Sequence, residues 1–187
     1  MTNSIYIHPP SVTVGMLKND VGEISNCLRE IYKQPNFPDI EFIKNSGLEY
    51  VPFLENDALG ALSSILENSE AIDISNIILA VDAYAEDGFG SRFCDVYKIG
   101  FSSHQDVVEF RSDQRCVLHD RTSKLSVYID YGDFSSIVAP PELLEHCGLH
   151  NNIDRIDSLE RDINSMEIEG FVSFYSQLIS LTRSQYK

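Results

Sequence analysis

The chain has 187 residues, a formal charge of −15 and an isoelectric point near 4.5. So large an acidic surplus argues against direct binding to a phosphate backbone or to an anionic membrane surface, both of which run on Lys and Arg. The apolar fraction of 43%, with ten Phe and nine Tyr, suits a packed core, and the length suits one domain over residues 1–187.

The opening residues MTNSIYIHPP have no basic region followed by an apolar run, so no secretory signal is expected. No apolar stretch approaches the roughly 20 residues of a membrane span. The four cysteines, Cys27, Cys94, Cys116 and Cys147, are widely spaced and form no C-x-x-C pair. They read as reduced thiols, and the protein as cytoplasmic.

In chain order, Val14, Leu17, Val21, Ile24, Leu28 and Ile31 recur by three and four and predict a first helix, with Gly22 as a weak point. Gln34-Pro35-Asn36-Phe37-Pro38 stops it. The stretch from Ile40 to Lys44 fits a short helix or a strand. Asn56 or Asp57 suits an N-cap for a helix carrying Leu59, Leu62, Ile65 and Leu66, which ends at Asn68-Ser69. Asp73 or Ser75 can open a third helix through Ile77, Ile78, Val81 and Tyr84, closing at Asp87-Gly88. On this reading residues of about 11–87 are mainly helical.

From Arg92 the pattern changes to short β-type runs: Phe93–Tyr97, Asp106–Phe110, Arg115–His119, Leu125–Tyr131 and Ser135–Ala139. Turn chemistry at Asp113-Gln114, Arg121–Ser123 and Gly132-Asp133 predicts an antiparallel meander of about five strands over about 92–139. Pro140-Pro141 ends the last run and opens a helix to His146, stopped by Gly148. Ile153, Ile156 and Leu159 mark a further helix. Ile168, Phe171, Val172, Tyr175, Leu178, Ile179 and Leu181 mark a C-terminal one, placing C-terminal helices at about 140–184. The class is therefore α+β: N-terminal helices, a central antiparallel sheet, C-terminal helices.

No constellation for catalysis or for a cofactor stands out. The histidines at 8, 104, 119, 146 and 150 pair with no Cys or Asp at ligand spacing, so no metal is expected. There is no G-x-S-x-G and no phosphate loop; Gly88-Phe-Gly90 reads as a turn. Carboxylate pairs are plentiful: Glu86-Asp87, Asp130 with Asp133, and Glu142 with Glu145. A glycosidase could use such a pair, yet the chain has no Trp to platform a sugar, so no enzymatic activity is expected.

The charge distribution is more informative. Between Lys44 and Arg92 there is no Lys, Arg or His, yet the segment holds nine carboxylates. A folded, unneutralised negative face attracts cationic partners. Its sharpest part is Glu86-Asp87, at a predicted helix end where negative charge opposes the macrodipole. The turn Tyr128-Ile-Asp-Tyr-Gly-Asp-Phe134 likewise sets aromatics beside acids. Tyr supplies rigid contact area and Asp pairs with Lys or Arg. The candidate partner-binding residues are Glu86, Asp87, Asp130, Tyr131 and Asp133. The alternative is a small-molecule or regulatory module with Cys94, Cys116 and the histidines lining a pocket.

Two segments carry a family resemblance: Tyr50-Val-Pro-Phe-Leu-Glu-Asn-Asp-Ala-Leu-Gly60, followed by a helix, and the strand-turn-strand-helix of Tyr128 to Leu144. They resemble parts of bacterial immunity proteins that protect cells against contact-dependent growth inhibition or related polymorphic toxins. The resemblance implies a cytoplasmic, non-enzymatic inhibitor of a cognate toxin domain, often a nuclease.

Overall fold

The computed structural model describes residues 5–33, 37–55, 57–69, 72–82, 93, 95–130, 134–165 and 169–186. In chain order its elements are β1 (Ile7–His8), β2 (Thr13–Met16), α1 (Val21–Ile31), α2 (Ile40–Asn45), β3 (Glu49–Leu54) and α3 (Asp57–Asn68). A 3-10 turn at Ile74–Asn76 leads into β4 (Ile77–Val81), then β5 (Val96–Gly100), α4 (His104–Val108), β6 (Arg111–Ser112) and β7 (Cys116–Asp120). The rest is β8 (Leu125–Asp130), β9 (Phe134–Ala139), α5 (Pro141–Glu145), α6 (Ile153–Asn164) and α7 (Glu169–Ser184). The class is α+β, with helices towards both ends of the chain around one large antiparallel sheet.

That sheet has seven strands in the order β2-β5-β4-β7-β8-β9-β3; β1 and β6 form a separate two-stranded ladder. The meander β7-β8-β9 is the predicted one. The differences lie around it. Ile77–Val81 is a strand, not the start of a third helix, because β5 and β7 flank it and both of its faces are covered. Asp106–Phe110 is not a strand. Ser103 caps a short helix there by accepting from the Asp106 N–H at 3.2 Å. The helix predicted from Val14 starts only at Val21, because Asp20 stands in the left-handed region at φ 61° and Thr13–Met16 pairs with β5. The predicted closure at Asp87-Gly88 lies outside the described residues.

Period-two alternation divides the core into two layers. Leu79, Leu118, Val127 and Ile137 face one way and pack with Leu59, Leu62 and Ile65 of α3, Val107 of α4 and Leu144 of α5. Ala80, Val117, Tyr128 and Val138 face the other way. They meet Ile24 and Leu28 of α1, Ile43 of α2, Ile156 and Ile163 of α6, and Tyr175 and Leu178 of α7. Helices on both faces explain why β8 and β9 read as nearly continuous apolar runs. An aromatic chain crosses the second layer: Tyr32 to Tyr128 at 5.2 Å between centroids, Tyr128 to Phe134 at 6.4 Å, Phe134 to Tyr175 at 5.8 Å. Tilted and edge-to-face pairs of this kind add to what burial alone contributes.

The β3 edge of the sheet is closed by side chains. Gln185 accepts from the Tyr50 N–H at 2.9 Å and donates to the Tyr50 carbonyl at 2.8 Å. Arg155 donates to the Pro52 carbonyl at 2.6 Å, and Pro52 has no N–H to offer. The Arg155 guanidinium also lies 4.1 Å from the centre of the Phe53 ring. Beside them the buried Glu49 carboxylate accepts from His150 Nδ1–H at 2.6 Å, the Asn151 N–H at 2.9 Å and the Tyr186 hydroxyl. A carboxylate this buried persists because donors surround it. Gln185→Ala removes both bonds to Tyr50. It is expected to lower stability by about 1–3 kcal/mol in chemical denaturation, while the exposed Gln177→Ala stays within about 0.5 kcal/mol of the parent.

Candidate functional site

Strand direction decides which loops can meet. β4 and β8 are both antiparallel to β7, so they run the same way and end at the same end of the sheet. Asp82 follows β4 there, Asp130 ends β8, and Arg115 stands between them at the start of β7. The Asp82 N–H donates to the Arg115 carbonyl at 2.9 Å. Asp82, only 6% exposed, accepts from the Tyr128 hydroxyl at 3.0 Å. Arg115 Nε lies 3.5 Å from Asp130 Oδ1 in a partly shielded ion pair. Burial pushes the Tyr128 phenol far above its ordinary range, and the charges of Asp82 and Asp130 push the same way, so it stays a donor.

Exposed acids surround this cluster. Asp95 precedes β5, and its carbonyl accepts from the Val81 N–H at 2.9 Å. Glu55 and Asp57 follow β3, whose Leu54 pairs with Phe134 at the start of β9. This end of the sheet therefore gathers carboxylates from four separate stretches of chain around Arg115, with the partly buried Arg155 close enough to Asp57 to feel its charge.

Of the five residues expected to bind a partner, Asp130 is at this end, and Arg115 holds it. Glu86, Asp87, Tyr131 and Asp133 lie outside the described residues. The chain leaves the described region after Asp82 and again after Asp130, two strands apart on the same side. Sequence reasoning did not single out Asp82, Arg115 or Asp95. A signal existed for Asp82: it directly follows a strand buried on both faces, where a carboxylate needs internal partners.

A second feature is a cavity of about 380 Å³ between α1, α2 and the β7–β8 hairpin. Ile24, Ile31, Phe42 and Leu48 line its apolar wall, and His119, Cys27, Arg121 and Lys124 its polar one. At the rim, Arg121 pairs with Glu23 at 2.8 Å and Asp20 at 3.2 Å. His119 is 5% exposed, with Nδ1 2.9 Å from the Ser126 hydroxyl. Partial burial raises the Cys27 thiol, so it is not an activated nucleophile. The pocket imagined from sequence is thus corrected in part. His119 does line a cavity, but Cys116 is buried in the opposite layer, its thiol pushed up to about 12 by burial, and Cys94 lies outside the described residues. Among the described residues no group of three potential metal ligands converges, and no helix is long and apolar enough to cross a membrane.

No family model, curated protein or solved structure matches the chain.

Burial holds His119 below its ordinary value of 6.5, so the folded state prefers the neutral ring. Between the folded value and 6.5 the unfolded chain binds the extra proton. The contribution of His119 is therefore complete above pH 6.5 and is lost as pH falls through the folded value. Stability should drop as pH falls below about 6.5, with this residue supplying at most about 1.4 kcal/mol per pH unit. His119→Gln should flatten that drop when denaturation is followed across the same range.

Proposed function

We propose that this protein is a cytoplasmic bacterial immunity protein that binds and neutralises a cognate basic toxin domain, most readily a nuclease. It contributes no catalysis of its own. The observation that supports the reading is the gathering of carboxylates at one end of the sheet in a chain of charge −15. A nuclease domain must present a cationic cleft to its substrate. A protein offering acids on a rigid scaffold can occupy such a cleft and reach it quickly by electrostatic steering. Asp82 and Asp130 support the acidic end from within, since Tyr128 and Arg115 already engage them. The contacts themselves fall to exposed acids: Asp95, Glu55 and Asp57, together with the sequence candidates Glu86, Asp87 and Asp133.

A second reading, a small-molecule-binding module, is favoured by the cavity beside His119, whose volume falls within the usual range for ligand sites. Native mass spectrometry of freshly purified protein would reveal a retained ligand.

The test of the leading reading is association kinetics with basic nuclease toxin domains. The on-rate should fall steeply with added salt. The combined variant Glu86→Lys, Asp87→Lys, Asp95→Lys and Asp133→Lys should slow it by roughly tenfold or more. Asp130 is left intact there, so its pair with Arg115 is not disturbed. An unchanged on-rate in a correctly folded variant would sink the assignment of this surface.

A further inference from the structure

The two edges of the large sheet are treated very differently. At β3, Gln185, Arg155 and Pro52 satisfy or remove the outward backbone groups. At β2 no described residue does so. The Leu17 N–H donates to the Val96 carbonyl at 3.0 Å, and ladder groups alternate along an antiparallel strand. Thr13 and Gly15 therefore turn their backbone groups towards β5, and Val14 and Met16 turn theirs outward. The side chains there are open too. Val14 is 46% and Met16 59% exposed, on the face continued by Ile99 and Tyr97 in register. Exposed apolar edges are templates for another strand, and proteins ordinarily blunt them with charges, Pro or a covering element.

We propose that β2 is a self-complementary edge on which two copies of this chain pair: β2 lies antiparallel to its counterpart about Gly15, and Val14 and Met16 of one copy exchange backbone hydrogen bonds with Met16 and Val14 of the other. Three observations favour a second copy as the occupant. First, the geometry is its own complement. A two-fold axis at Gly15 sets the outward residues 14 and 16 opposite each other, forming four hydrogen bonds, with each Val14 side chain beside a Met16 on the same face. Second, charge permits it. From Ile5 to Lys18 there is no carboxylate, nor is there one in β5, although the chain as a whole carries −15. This strip is where two such acidic molecules meet with least repulsion. Third, Gly15 is unexplained within one chain. It has no positive φ, and a Cβ built on it meets nothing within 4 Å. Glycine inside a strand commonly marks the close approach of another backbone, which the two-fold pairing supplies.

The seam is short, so the dimer should be concentration-dependent, forming at about micromolar levels and above. Sedimentation velocity at increasing concentration should show the 21.1 kDa chain giving way to twice that mass, with added salt strengthening the association. That salt response is opposite in sign to the one expected for toxin binding, so the two readings fail separately. The double variant Val14→Lys with Met16→Lys places like charges across the seam and should weaken dimerisation at least tenfold. Val14→Lys with Met16→Glu should restore it, because each new lysine then faces a new glutamate on the other copy. Both positions are exposed, and thermal melts of each variant serve as the check that it folds. Three results would overturn the proposal: a chain that stays at 21.1 kDa throughout, a dimer untouched by the double lysine variant, or no restoration by the lysine–glutamate variant. A monomer whose Val14 and Met16 amides gain exchange protection only when toxin is added would overturn it too, and would give the edge to a strand of the toxin.

Discussion

A carboxylate shut away from water must be met by donors, and at Asp82 one donor is the hydroxyl of Tyr128. Much of the molecule is arranged around that requirement. Tyr128 sits in a strand covered on both faces, with its ring between Tyr32 at the end of α1 and Phe134 of β9. Its hydroxyl bonds Asp82 just past the end of β4, and Arg115, one strand across, bonds the Asp82 backbone and approaches the Asp130 side chain. One phenol thus links the packing of the helical layer to the charge at the sheet end. Removing the Asp82 carboxylate takes this acceptor from the buried Tyr128 hydroxyl, and removing the hydroxyl takes a donor from Asp82, in a low-dielectric setting where such losses are most expensive.

Legibility from sequence followed the physics of each signal. α3 was readable because its stripe spans three turns and ends at Asn68. β7, β8 and β9 were readable because β-branched runs alternate with turn chemistry. Ile77–Val81 was not, since a five-residue apolar run fits a buried strand or a piece of helix equally well, and only its neighbours β5 and β7 decide. In Asp106–Phe110 the cap at Ser103 outweighed an apparent β-type run. The candidate site was partly legible. Asp130 was chosen for its turn and is at the acidic end, but Asp82 lies 46 residues from Tyr128 and no local pattern joins them. Contacts of that span are set by strand order, which sequence periodicity does not encode.

The electrostatic design separates two kinds of surface. Acids from several strand ends collect on one side, where long-range attraction can steer a cationic partner. Along β2 and β5 the chain is free of carboxylates, and apart from the exposed Lys98 it presents mainly backbone and apolar groups, whose contacts act at close range. Three strands lie between β2 and β8, so an event at one surface need not obstruct the other. The cavity beside His119 belongs to neither, lying instead under α1 and α2.

The closure of the β3 edge also has a kinetic side. Gln185 follows Tyr50 by 135 residues, and Tyr186 follows Glu49 by 137. During synthesis β3 emerges early, pairs with β9 only much later, and receives Gln185 and Tyr186 later still. For most of that time it is an unguarded apolar strand. Contacts of such sequence separation form slowly, because loop-closure entropy must be overcome before they reward the chain. The side chains that seal the finished sheet are therefore also a timer: until α7 docks, the nascent chain can still join the wrong neighbour.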